Sequence, residues 1–138
     1  MRNLIYNNDL ANIARNHSKD MALSNYFDHV NLKGMDPTAR AQYQGFRTKR
    51  MLSGNRYLDG IGENIFKCAM WKNETTYYGT NTIYNWYTQD EIISLIVNGW
   101  MQSPGHKANI LNNTYINEGI GVYVDEPSKQ ILITEDFW

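Results

Sequence analysis

Apolar residues at Leu10, Ile13, Ala14, Met21 and Ala22 recur at the spacing of one helical face. That periodicity predicts a helix over residues 9–23, with Asp9 as its N-cap. His17 falls on the same stripe, so it is expected to pack inward with the core rather than act as a ligand. Residues 34–46, "GMDPTARAQYQGF", read as a turn and a short helix, with Asp36 as cap, Pro37 at the first position and Gly45 as stop. Residues 47–60 are first basic and then Gly/Asn-rich, the pattern of a surface loop. "GIGENIF", residues 60–66, is too short for a helix and is expected to be extended. Residues 67–88 are polar and aromatic with several β formers, which fits a hairpin or a long ordered loop. Thr88 and Glu91 then form a capping box for a second helix. Its apolar face is Ile92, Ile93, Leu95, Ile96 and Trp100, and Pro104 ends it. "GIGVYVD" and "KQILITEDFW" alternate on either side of "EPS", which predicts a β-hairpin. Helices beside antiparallel strands predict an α+β domain.

The chain has 138 residues, suited to one domain with a real core. Its net charge of −1 gives no bulk attraction for nucleic acid or for an anionic membrane. Cys68 is the only cysteine, so neither an intrachain disulfide nor a cysteine-based zinc site can be built. No apolar stretch approaches the roughly 20 residues of a membrane span. The opening "MRNLIYNNDL" has too short an apolar part for a signal peptide, so any export signal is expected to lie outside this sequence.

The chemistry concentrates on two histidines and one acid. His29 lies in "NYFDHVNLKG", where Asn and Gly signal a loop. His106 follows Ser103-Pro104-Gly105, residues expected to end the preceding helix in a turn, with Ser103 capping it and Asn109, Ile110 and Leu111 anchoring it to the core. Glu63 sits in "GIGEN", where Gly62 allows close approach of backbone. Two imidazoles and a carboxylate suit a divalent metal such as zinc, or equally a hydrogen-bonded cluster in which the acid orients a histidine tautomer. Arg40 is expected to be a structural ion-pair partner. Glu135 and Asp136 could bring an edge carboxylate to the site, and Glu118 is expected to be solvated. The aromatics Trp71, Tyr77, Tyr78, Tyr84, Trp86 and Tyr87 divide between core and a groove for sugars or apolar ligands.

"NHSKDMALSNYFDHVNLKG", "DPTAR", "GIGENI", "GWMQSPGHKANIL", "EGIGV" and "ITEDF" occur in the order and approximate spacing of the CAP superfamily. This family comprises the cysteine-rich secretory proteins, antigen 5 and the class 1 pathogenesis-related proteins, also called SCP-like domains. The chain resembles its prokaryotic branch, which carries Ser-Pro-Gly-His and lacks the disulfides. The resemblance covers about residues 4–137 and implies a three-layer α-β-α sandwich around a small antiparallel sheet. It also implies a cleft holding two histidines and two glutamates. The matching residues are His29, Glu63 and His106, while the fourth position falls on Ser103. The tetrad is therefore a triad here, and zinc is expected to bind weakly. An upstream helix usual in the family has no counterpart in residues 1–138, so an outer helical layer is expected to be thin or supplied by a partner.

The resemblance implies a secreted or surface-exposed binding module. Its cleft would take a divalent metal on His29 and His106, with Glu63 as a further candidate, and an unidentified small-molecule, lipid or glycan ligand. Two other readings stay open. One is a metal-dependent hydrolase, such as a peptidase, using His29 and His106 as zinc ligands and Glu63 as general base. The other is a lipid or sterol carrier. No residue is assigned a catalytic role on these grounds, and the oligomeric state is open.

Overall fold

The structure is a computed structural model that describes residues 3–77 and 81–138; Tyr78 lies outside these. At its centre is a four-stranded sheet of β1 (Ile5–Tyr6), β7 (Asn117–Asp125), β8 (Gln130–Phe137) and β4 (Gly62–Ala69), in that spatial order. β7, β8 and β4 are antiparallel, as the alternating segments predict, while the short β1 adds to β7 in parallel. Helices α1 (Asn8–Leu23) and α2 (Pro37–Tyr43) cover one face. Helices α3 (Gln89–Gln102) and α4 (Pro104–Ile110) lie against the other, at β4. The fold is therefore α+β with an α-β-α layering.

Strand alternation sorts the residues between the two faces. Glu63 and Ile65 of β4, Leu132, Thr134 and Asp136 of β8, and Gly119 and Gly121 of β7 face α1. Here Met21, Ile65 and Leu132 form one apolar cluster. The Ser18 hydroxyl crosses from α1 to the Gly121 carbonyl at 2.9 Å and lies 2.8 Å from the Thr134 hydroxyl. The two glycines are needed because the helix rests directly on the strand. A Cβ at Gly121 would lie 1.9 Å from the Arg15 nitrogen, and one at Gly119 would lie 2.2 Å from the Ala11 nitrogen. On the opposite face Trp100 of α3 packs with Ile131 and Ile133, joined by Phe66, Cys68 and Ile110.

Several local expectations change. Asn7 rather than Asp9 caps α1, because its Oδ1 reaches the N–H groups of Asp9 and Leu10 at 2.9 and 3.0 Å. Asp36, Pro37 and the capping box of Thr88 and Glu91 take their expected roles. Residues 47–60 are not simply a loop: β2 (Lys49–Met51) and β3 (Tyr57–Asp59) pair as a small hairpin around Gly54 and Asn55, both at positive φ. The segment after residue 67 first continues β4. It then forms a separate hairpin of β5 (Trp71–Tyr77) and β6 (Asn81–Trp86). Pro104 ends α3 but also begins α4, since a missing N–H costs nothing at the first position of a helix. His106 consequently stands on a short helix and not in a turn. Ser103 flanks that helix without a side-chain capping bond, and Leu111 is 39% exposed instead of anchoring the core.

Candidate functional site

Glu63 and Asn64 are neighbours on β4 and so point to opposite faces of the sheet. Glu63 secures the side chain of His29, and Asn64 the backbone of His106. On the α1 side, Glu63 accepts a hydrogen bond from His29 Nδ1 at 2.7 Å through Oε1. Its Oε2 is paired with the Arg40 guanidinium. Arg40 is itself buried, and it also donates to the carbonyls of His29 and Met35. One guanidinium thus fixes both the carboxylate and the backbone of the histidine that the carboxylate orients. On the other side, Asn64 Nδ2 donates to the His106 carbonyl at 3.3 Å. Asn109, one turn along α4, donates to the Glu63 carbonyl at 3.1 Å and to Asn64 Oδ1 at 2.9 Å. β4 is an edge of the four-stranded sheet, and the two histidines are held around that edge from its two faces.

The two imidazoles are electrostatically unequal. The hydrogen bond to Glu63 raises the His29 pKa above the ordinary imidazole range, although burial opposes it. Burial, and next the charge of His29, lower that of His106. His29 keeps an open side, with 47% of its side chain exposed. Because Nδ1 points at a carboxylate it carries the proton, leaving Nε2 as the lone-pair nitrogen.

Behind this pair lies a buried polar cluster that the sequence only partly indicated. His17 is buried, as its helical stripe requires, but its Nε2 also lies 3.9 Å from Glu63 Oε1 and 3.0 Å from the Asp28 carbonyl. Burial lowers its pKa below the ordinary imidazole range, against the charge of Glu63. Asp136 is the cross-strand partner of Glu63 and is 1% exposed, with neither carboxyl oxygen hydrogen-bonded. Burial, and next the charge of Glu63, hold its pKa well above the ordinary carboxylate range. Glu135 faces the other way and accepts from Asn64 at 3.3 Å; burial pushes its pKa up to about 7. Glu118, expected to be solvated, is half-buried and interacts with Glu135. Alternation could have placed Glu135 and Asp136 on opposite faces, but their neighbours depend on the strand register.

These residues permit a limited test of metal binding. Among the described residues, no group of three or more His, Cys, Asp or Glu side chains is arranged to hold a metal ion. Glu63 has both oxygens engaged, one by His29 and one by Arg40, which suits a carboxylate that orients a ligand. His29 Nε2 and the His106 ring are the donors left to face an ion. Two imidazole donors are fewer than the three protein ligands usual in a catalytic zinc site, so any cation here would rely on water for the rest of its shell.

Comparison with known proteins agrees with this architecture. The model of the CAP family, the cysteine-rich secretory protein family, matches residues 1–137. The chain is 29% identical over 112 residues to the uncharacterized membrane protein YlbC of Bacillus subtilis (strain 168), a stretch that covers 81% of this chain and 23% of that protein. Two solved structures share the fold. An extracellular protein containing a SCP domain from Bacillus anthracis (strain Ames) has a TM-score of 0.64 at 24% identity, over 97% of this chain and 33% of that one. An outer surface protein from Borrelia burgdorferi has a TM-score of 0.68 at 14% identity, over 99% of this chain and 77% of that one. This chain belongs to the CAP family.

Proposed function

We propose that this CAP-family chain is a binding module working outside the cell or at its surface, with a cleft at the β4 edge that takes a divalent cation weakly on His29 and His106 and presents it to an unidentified ligand. The extracellular setting is supported by the two structural relatives, one an extracellular protein and the other an outer surface protein. No helix of the described residues is long and apolar enough to cross a membrane.

The observation that carries the reading is the double engagement of Glu63. His29 Nδ1 and Arg40 occupy its two oxygens, so it orients His29 and leaves Nε2 free toward solvent. A bound cation would supply Lewis acidity for holding an oxygen or nitrogen donor of the ligand. The protein's share is to aim Nε2 through Glu63 and to hold His106 through Asn64 and Asn109. The hydrolase alternative needs Glu63 as a general base, and a carboxylate held by a guanidinium is poorly placed to take a proton from water. Binding is therefore preferred to hydrolysis.

Zinc titration followed by histidine NMR tests the proposal. The ring signals of His29 and His106 should move together while buried His17 stays in place. Independent or absent responses at the two rings would remove the metal reading. Peptide turnover abolished by His29→Ala would replace the binding module with a hydrolase.

A further inference from the structure

The near-zero net charge of the chain conceals a segregation. Residues 47–60 carry Arg47, Lys49, Arg50 and Arg56 against Asp59 alone, a net of +3, which leaves −4 on the other residues. This segment forms the β2–β3 hairpin and its base. Among the described residues, none of its four cations is in an ion pair. Lys49 Nζ stands 4.8 Å from the centre of the Tyr57 ring, and Arg56 Nε reaches the Ser53 carbonyl at 3.5 Å. Like charges gathered in one hairpin repel one another, and an anionic partner would relieve that repulsion.

Strand register sorts the hairpin into an anchored face and a free one. Arg50 and Leu58 are cross-strand partners and are half-buried. Arg50 donates to the Thr114 carbonyl at 2.6 Å, and its guanidinium lies 5.3 Å from the Trp138 ring centre. Trp138 Nε1 in turn donates to the Thr48 carbonyl at 2.9 Å, which fixes the base. The other face carries Lys49 opposite Asp59 and Met51 opposite Tyr57, all exposed. Met51 and Tyr57, nearest the turn, are 63% and 55% exposed, so two large apolar side chains stand in water beside Lys49 and Arg56. Between the hairpin and residues 113–116 lies a hollow of about 320 Å³. Arg50 and Arg56 line it with Ser53, Asn113 and Thr114, and no carboxylate is among its walls.

Guanidinium, hydroxyl and amide donors around a hollow without carboxylates suit phosphate oxygens. Met51 and Tyr57 decide between sources of phosphate. A nucleic acid offers no apolar phase for a thioether, and a free phosphate makes no use of either side chain. A phospholipid bilayer uses every part. Its phosphates meet the cations, and the boundary between headgroups and acyl chains takes the apolar side chains and favours a tyrosine ring.

We infer that the β2–β3 hairpin docks this protein on an anionic phospholipid surface, with a headgroup phosphate at Arg56 and with Met51 and Tyr57 in the interface. Such an attachment is weak, reversible and sensitive to salt. It does not depend on metal uptake at His29 and His106. Co-sedimentation of the intact chain with lipid vesicles tests it. Vesicles of phosphatidylcholine mixed with phosphatidylglycerol should bring the protein down at low salt and release it at high salt, while phosphatidylcholine alone should leave it in solution. Arg56→Ala and Lys49→Ala should each weaken binding by roughly fivefold, the worth of one basic side chain near an anionic surface. Met51→Ser should weaken it as well. All three positions are exposed, so the variants should melt with the wild type. Equal binding to neutral vesicles, no binding to anionic ones, or binding indifferent to both Arg56→Ala and Met51→Ser would overturn the inference. So would salt-sensitive capture of duplex DNA, or NMR shifts at Arg56 with glycerol phosphate, where anionic vesicles bring nothing down; the cations would then serve a nucleic acid or a free phosphate.

Discussion

The two faces of the central sheet are built on different terms. Against α1 the sheet is tight and charged. Gly119 and Gly121 bring helix backbone onto β7, and Glu63, Asp136, Arg40 and His17 are enclosed nearby. Against α3 it is apolar and thinly covered. Trp100, Ile131 and Ile133 are buried beside β4, yet Ile120, Val122 and Val124 of β7 remain 37%, 45% and 45% exposed. A buried charge is costly unless it is paired, and on this face Glu63 is paired with Arg40 and His29, while Asp136 beside it is buried without a hydrogen-bond partner. The proposed site, at His29 and Glu63, stands on that face at the edge strand β4.

Breaking the polar cluster should have the largest effect. Arg40→Ala leaves Glu63 buried without its guanidinium and removes two donors that hold the His29 segment. Urea denaturation should report a loss of about 3–5 kcal/mol, and the His29 NMR signal should broaden or move. Gly121→Ala attacks the close approach instead. Its Cβ meets backbone, so α1 must shift, at a cost of about 1–3 kcal/mol, with crystallography or amide shifts showing the displaced helix.

Two milder changes sharpen the contrast. Glu135 has a folded pKa raised from 4.5 to about 7, so the unfolded chain releases this proton at lower pH than the folded one. Its penalty is absent below the unfolded value, grows as pH rises through that interval and is complete above it. Glu135→Gln should thus match the wild type in acid and be more stable above neutrality, by on the order of 2 kcal/mol in pH-dependent melts. Val122→Thr, on the exposed side of the strand that carries Gly121, should change stability by less than about 0.5 kcal/mol. A cost comparable to Gly121→Ala would mean that the α3 side is packed as tightly as the α1 side.

Much of this organisation is legible along the chain. The 3.6-residue stripe locates α1, Asp36-Pro37 starts α2, and the Thr88 capping box starts α3, because caps and periodicity are local interactions. The candidate site is readable in part. His29, Glu63 and His106 stand out by residue type, turn chemistry and family pattern. The clustering of His17, Arg40 and Asp136 around Glu63 is not readable, because it needs the β4–β8 register and the seating of α1. Residues 47–60 read as a loop for a related reason: β2 and β3 are too short to register as alternation.

The sequence alone determined α1, α2, α3 and the β7–β8 hairpin, which residues carry titratable chemistry, and that no cysteine clamp is available. Each follows from interactions within a few residues or from composition. Only the tertiary structure decided that Glu63 would be divided between His29 and Arg40, and that Asn64 would hold the backbone of His106. Those pairings join residues between 23 and 42 positions apart. Their geometry exists only once the sheet is assembled and its two faces are packed.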